Sequence, residues 1–225
     1  MLVYYRYKNK DNRLIFTAHQ AVTWKTALCK QACPILIISR TGEADQQGIL
    51  MTRRSENIYL VGLMGAGKTT IGRQLARSLK LPFYDSDKAI EERTGVDIPT
   101  IFEFEGEEGF RDREQKMIQQ LTQMEGIVMA TGGGAILREE NRRLLKENGF
   151  IVYLQCSVER ILERTRRDTQ RPLLKTDNPR ERIETLFAQR EPLYLSCADF
   201  KVDTGILQSK EVVNLILEEY KSINR

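Results

Sequence analysis

The stretch Ile58 to Thr70, IYLVGLMGAGKTT, constrains the fold more than any other part of the chain. A short apolar run leads into a glycine-rich turn, and Lys-Thr then opens a helical pattern. Gly62, Gly67, Lys68 and Thr69 match G-x-x-x-x-G-K-[ST] in the strand-then-helix setting that this motif requires. Glycines at such a turn let the backbone curl until successive N–H groups point inward at phosphate oxygens, and the helix N-terminus behind them adds partial positive charge. The motif places Lys68 at the β- and γ-phosphates and the Thr69 hydroxyl on Mg²⁺. It leaves open which molecule receives a phosphoryl group.

The remaining chain alternates strands and helices. Ile71, Leu75, Ala76 and Leu79 recur at helical spacing, so residues 69–80 read as an amphipathic helix ended by Leu81-Pro82. Strands are expected at 83–84, 127–130, 150–154 and 200–202. Helices are expected at 138–148, 158–167, 179–195 and 209–221. Between 97 and 123, the Gly106 to Gly109 segment reads as an interruption, with Phe110 opening a long helix. This order argues for an α/β fold with a parallel sheet covered on both faces. Within residues 1–55, only a weak helix over 18–30 and a strand over 34–39 suggest themselves. No apolar run approaches the roughly 18 residues of a membrane span.

Charge is unevenly spread. Residues 1–55 carry nine Lys/Arg against three Asp/Glu, so the net charge of +4 is made of +6 there and −2 in the rest. The part that carries the motifs is therefore no polyanion-binding surface by charge alone, and no nucleic-acid partner is expected. The four cysteines, Cys29, Cys33, Cys156 and Cys197, are scattered and His19 is the only histidine, so zinc-ligand spacing is absent. Reduced thiols in a cytoplasmic protein are the expectation. The first 55 residues show neither the apolar core nor the cleavage site of a secretory signal. They are read as an appendage from an over-long start, with Met51, seven residues before the first strand, as the functional start; a targeting or docking segment is the alternative.

Several constellations carry chemistry. Asp85-Ser86-Asp87 closes the second core strand, where one carboxylate can hold Mg²⁺ and the other can accept a hydroxyl proton; a solvated helix cap is the competing reading. Arg111, beside Phe110, suits a small anionic ligand, because a planar guanidinium grips a carboxylate by two hydrogen bonds. Taken alone, an ion-pair face at i,i+3 or i,i+4 explains it as well. Gly132-Gly133-Gly134 after a strand costs conformational entropy, so something must need bare backbone there. Arg164, Arg166, Arg167 and Arg171 read as a nucleic-acid patch or a solvated face, and in a phosphoryl-transfer protein they better suit a mobile lid over the triphosphate.

Taken together, GLMGAGKTTIGR at 62–73, DSD at 85–87, EGEEGFRDRE at 105–114, ATGGG at 130–134, RPLL at 171–174 and REPLY at 190–194 resemble the shikimate kinases, in family order. The resemblance covers residues from about 57 to the C-terminus. It implies a P-loop NTPase-type three-layer sandwich with a five-stranded parallel sheet and a lid near 164–178, and transfer of phosphate from ATP to the 3-hydroxyl of shikimate. The kinase domain is then 56–225 and is expected to act as a monomer. Asp87 matches the family's hydroxyl-binding aspartate and catalytic base, with Lys68 and Arg171 as further catalytic groups. Gly65, Ala66, Gly67, Lys68, Thr69, Thr70, Arg164 and Arg171 are implied for the nucleotide, with Arg164 on the adenine and Arg171 on the transferring phosphate. Arg111 and Arg190 are implied for the shikimate carboxylate, with Glu114 orienting Arg111. Gly132, Gly133 and Gly134 are implied against the ring, and Ile98, Phe102 and Phe110 as an apolar wall. Thr69 and Asp85 are implied for Mg²⁺, since the third strand ends in Met129-Ala130 without an aspartate. A gluconate or nucleoside-monophosphate kinase of the same fold is the nearest alternative, and an ATP-gated RNA- or partner-binding module a remoter one.

Overall fold

A computed structural model describes the backbone of residues 4–8 and 14–18 and, with side chains, residues 56–166 and 178–223. The chain divides into two units, Met1–Leu50 and Met51–Arg225. In the first unit, Tyr4–Lys8 (β1) and Leu14–Ala18 (β2) pair antiparallel. No periodicity announces this pair, although YYRYK and LIFTA are rich in the aromatic and branched residues that suit strands. The weak helix expected from residue 18 fails at its first position, because Ala18 closes β2. Its remainder, and the strand expected at 34–39, lie outside the described residues.

The second unit is built on a five-stranded parallel sheet. Its strands are Ile58–Val61 (β3), Phe83–Asp85 (β4), Val128–Ala130 (β5), Phe150–Gln155 (β6) and Phe200–Asp203 (β7), in the spatial order β4-β5-β3-β6-β7. All four β3 side chains are fully buried. Alternate residues of a strand face opposite sides, so helices must cover both faces of the central strand. The connecting helices are Lys68–Leu79 (α1), Ser86–Thr94 (α2), Ile98–Thr122 (α3), Glu139–Asn148 (α4), Val158–Thr165 (α5), Pro179–Cys197 (α6) and Ser209–Ile223 (α7). Among the described residues, no helix is long and apolar enough to cross a membrane.

α3 departs from expectation. The chain is already helical from Ile98, and the break falls on Gly106 alone, at φ 69° and ψ −175°, a left-handed conformation that glycine adopts without penalty. Gly109 stays helical for a different reason. A Cβ there would stand 2.5 Å from Glu105 Cβ, so its missing side chain lets the two halves of α3 pack across the kink.

Parallel strands carry their carboxyl ends to one edge. Val61, Asp85, Ala130 and Asp203 therefore deliver the residues that follow them, Gly62, Ser86, Thr131 and Thr204, to one crevice. That topology brings the phosphate loop, DSD and TGGG to one edge of the sheet.

Candidate active site

The phosphate loop turns on three glycines at positive φ: Gly62 at 144°, Gly65 at 75° and Gly67 at 94°. Gly62 is also confined by space, since a Cβ would lie 2.6 Å from the Leu154 carbonyl oxygen of β6. Gly67 caps α1 without a side-chain acceptor, so the first-turn N–H groups face the crevice. Lys68 Nζ donates to the Gly62 and Leu63 carbonyls at 2.7 and 2.9 Å, which holds its charge over the loop. Thr69 donates its hydroxyl to Asp85 Oδ2 at 2.8 Å.

Asp85 caps α2, as the competing reading expected, and also faces Thr69. Its Oδ1 caps α2 by accepting from the backbone N–H of Asp87 (3.2 Å) and Lys88 (3.5 Å), while its Oδ2 faces Thr69. The β4–β5 register sets Asp85 level with Ala130, so this carboxylate stands beside the strand end that lacks an acid. Among the described residues no cluster of three or more His, Cys, Asp or Glu could hold a metal unaided. A hydroxyl and one carboxylate beside a phosphate cleft nevertheless suit Mg²⁺, which keeps several waters and binds through one or two carboxylates plus phosphate oxygens.

A cleft of about 460 Å³ runs from Gly65, Lys68 and Thr70 past Arg164 to Leu207 and Val212. Arg164 donates to the Gly65 carbonyl at 3.1 Å and to the Thr204 carbonyl at 2.7 Å. It thereby ties the phosphate loop to the segment after β7, and Thr204 adds a bond to the Ala66 carbonyl at 2.9 Å. Arg171, and residues 167–177 of the expected lid, lie outside the described residues.

A second cleft, of about 560 Å³, opens on the other side of Asp87 and contains Ile98, Phe102, Phe110, Arg111, Glu114, Arg190 and all three glycines of the triplet. Arg111 is only 6% exposed and Arg190 only 3%. The ion-pair reading of Arg111 holds, and its burial beside a cleft meets what the ligand reading requires. It donates to Glu114 at 2.7 Å and to Glu107 at 2.9 Å, yet the group is buried at a cleft, with its cation stacked 5.2 Å over the Phe110 ring. Burial pulls its pKa down, and Glu114 and Glu107 more than offset this. Burial also lowers the pKa of Arg190, with the charge of Arg111 adding to the effect. Four polar atoms around this cleft are buried without a hydrogen-bond partner: Asp87 Oδ1, Arg111 Nε, Glu114 Oε1 and Arg190 Nε. Each such orphan costs roughly 1–3 kcal/mol. Their convergence on one cleft marks a place built to be completed by a polar ligand.

Asp87 stands where the two clefts meet. Burial first, then the charges of Glu114 and Asp85, push its carboxyl up to about 7, against the pull of Lys68 and Arg111. Glu114 is raised as well, by burial. A carboxyl titrating near neutrality is suited to taking a proton from a hydroxyl.

The glycine triplet has a cause that the sequence did not reveal. A Cβ on Gly132 would lie 2.5 Å from Asp87 Oδ1 and 2.6 Å from Glu114 Oε1, and one on Gly134 would lie 2.3 Å from Arg111 Nη2. The bare backbone at these two positions makes room for the site's own charged groups. Gly133 is the looser member, with its nearest neighbour at 3.4 Å. Two residues missed by sequence reasoning hold this loop. Ser86, fully buried, accepts from the Gly132 N–H at 2.9 Å, and Tyr194 donates to the Gly133 carbonyl at 2.5 Å. Both stand inside quoted motifs, DSD and REPLY, so position in a motif was the signal available for them.

A third cleft, of about 800 Å³ between α2 and α3, contains none of the phosphate-loop or Asp87-side residues. Size alone therefore does not locate the chemistry in this molecule.

Comparisons with known proteins point to one family. A family model described as shikimate kinase matches residues 64–221. A shikimate kinase of Thioalkalivibrio sulfidiphilus is 58% identical over 175 residues, covering 78% of this chain and 92% of its own. A shikimate kinase of Methylococcus capsulatus is 55% identical over 169 residues, covering 75% and 94%. Among solved structures, a shikimate kinase from Acinetobacter baumannii in complex with shikimate superposes with a TM-score of 0.72 at 48% identity, covering 74% of this chain and 93% of that one.

Proposed function

This chain belongs to the shikimate kinase family, and from that membership we propose how its residues divide the work of moving the γ-phosphoryl of ATP to the 3-hydroxyl of shikimate. The observation that carries the assignment is that the two clefts share Thr69, Asp85 and Asp87. The phosphate loop supplies the donor side and the arginine-lined cleft the acceptor side. The transferring group passes between them.

On the donor side, the N–H groups of Gly65, Ala66, Gly67, Thr69 and Thr70 with the Lys68 ammonium hold the phosphates, and Arg164 stands at the cleft toward the adenine. Thr69 and Asp85 would hold Mg²⁺, which when bound neutralises phosphate charge. On the acceptor side, Arg111 and Arg190 grip the carboxylate of shikimate and satisfy their orphan Nε donors. The Gly132–Gly134 backbone and the Ile98, Phe102 and Phe110 side chains hold the ring. Asp87 orients the hydroxyl and accepts its proton as the oxygen attacks phosphorus, with Arg171 reaching the charge that develops there. Catalysis is then mainly positioning and charge neutralisation, as phosphoryl transfer requires. The activity resides in the Met51–Arg225 unit, a reading supported by relatives whose own lengths are matched almost in full by about three quarters of this chain.

The test is ADP release followed by a coupled assay with shikimate, gluconate and nucleoside monophosphates side by side. Only shikimate should accelerate release. Arg111→Ala and Arg190→Ala should each raise KM for shikimate at least about ten-fold, the value of a lost charge-assisted hydrogen bond, with KM for ATP nearly unmoved. Equal effects on both substrates would overturn the clamp.

A further inference from the structure

Arg111 and Arg190 bring two buried cations to the acceptor cleft, and two carboxylates balance them. Glu114 is 1% exposed and bonded to Arg111 Nη1 at 2.7 Å. Glu107 is bonded to Arg111 Nη2 at 2.9 Å, and its side chain is 52% exposed. Its charge also raises the pKa of Arg190, so it lies within Coulomb reach of both clamp cations. The two acids differ in what it costs to move them. Releasing Glu114 would leave a carboxylate in the protein interior without a cation, a change worth several kcal/mol. Releasing Glu107 costs little, because half of its side chain is already in water and an exposed ion pair is weak. Glu107 also directly follows Gly106, the break in α3, and so sits at the start of the second helical half.

We propose that Glu107 is the exchangeable counter-ion of the clamp: it neutralises Arg111 and Arg190 in the empty enzyme and is displaced by the carboxylate of the incoming substrate. Glu114 is the permanent counter-ion, which keeps Arg111 oriented throughout. Glu107 is thus a positioning and selectivity residue. It competes with the substrate's own charge, and a neutral analogue cannot displace it by charge exchange. This assignment rests on the clamp reading above.

The experiment measures KM or Kd of the full chain for shikimate and for its uncharged methyl ester, in the wild type, Glu107→Gln and Glu107→Asp. Glu107→Gln removes the competing charge while keeping the side chain's size. It should lower KM for shikimate about two- to five-fold, the range of a half-exposed ion pair. The value for the ester should stay put or rise, and KM for ATP should move by less than about two-fold. Glu107→Asp keeps the charge and should restore the wild-type preference. Should Glu107→Gln weaken shikimate binding, or shift acid and ester equally, the residue is a support for Arg111 and the exchange idea fails. If the wild type itself fails to prefer the acid over the ester, it is the clamp reading that falls. The two failures are therefore separable.

Discussion

Replacing Asp87 with Asn should make this protein more stable and inactive at the same time. The carboxyl is raised from 3.8 to about 7, so the folded state holds its proton more tightly than the unfolded chain does. The sign follows from linkage. Stability contributed by the protonated group is fully present below the unfolded value and is lost as pH rises through about 7. Above that pH the fold carries a buried carboxylate that the unfolded chain would expose to water. Three pH units at 1.36 kcal/mol each set a ceiling near 4 kcal/mol. Asp87 Oδ1 is enclosed without a partner, but the residue is only half-buried and lines an open cleft, so solvent screens part of this. Part of the rise also comes from the charge of Glu114, whose own carboxyl is raised by burial. An effective gain of about 1–2 kcal/mol at pH 8.5 is expected. For a domain of this size that is roughly 3–6 °C in Tm. At pH 5.5, about midway between the unfolded and folded values, the advantage of Asn should fall to roughly half of this. Thermal melts of both proteins at the two pH values, with turnover measured in parallel, test this. A variant that is no more stable at pH 8.5, or whose advantage is the same at both pH values, would refute the claim that Asp87 is held strained for function. Near-normal turnover would remove it as the base.

Gly132→Ala should cut kcat by an order of magnitude or more and cost about 1–3 kcal/mol, because its Cβ meets Asp87 and Glu114 within 2.6 Å. Gly133→Ala, with its neighbours no closer than 3.4 Å, should do far less, and urea melts with turnover for the pair measure the contrast. Tyr194→Phe removes the bond to the Gly133 carbonyl and should lower stability by about 1 kcal/mol, with KM for shikimate rising more than KM for ATP. Deleting residues 1–50 should leave both KM values and kcat in place, and loss of folding or turnover would show that the first unit takes part.

Much of this molecule was legible from residue order. The β3 run, the phosphate loop and the helix after it have local causes, namely an unbroken apolar run, glycine freedom and helical spacing, so the sequence alone specified them. The same holds for the parallel sheet, because strand and helix patterns that alternate leave few other arrangements. Asp87, Arg111 and Arg190 could be named as candidates from residue type and motif, but nothing local distinguishes a clamp arginine from a solvated ion pair. That distinction is burial, which depends on where α3 and α6 pack. That Asp85 both caps α2 and faces Thr69 likewise required tertiary structure, since Thr69 is sixteen positions away on another element. The antiparallel strand pair of the first unit was not expected from the sequence.

The glycine triplet shows the division most clearly. Its presence announced a close approach of something to bare backbone, and a ligand was the natural candidate. Only the tertiary structure decided that Gly132 and Gly134 are bare for Asp87, Glu114 and Arg111, since those side chains come from α2 and α3. Sequence determines which conformations a segment can adopt at low cost. Which charged groups are enclosed together, and so which pKa values shift and which cations await a ligand, is settled only when distant segments meet and exclude water.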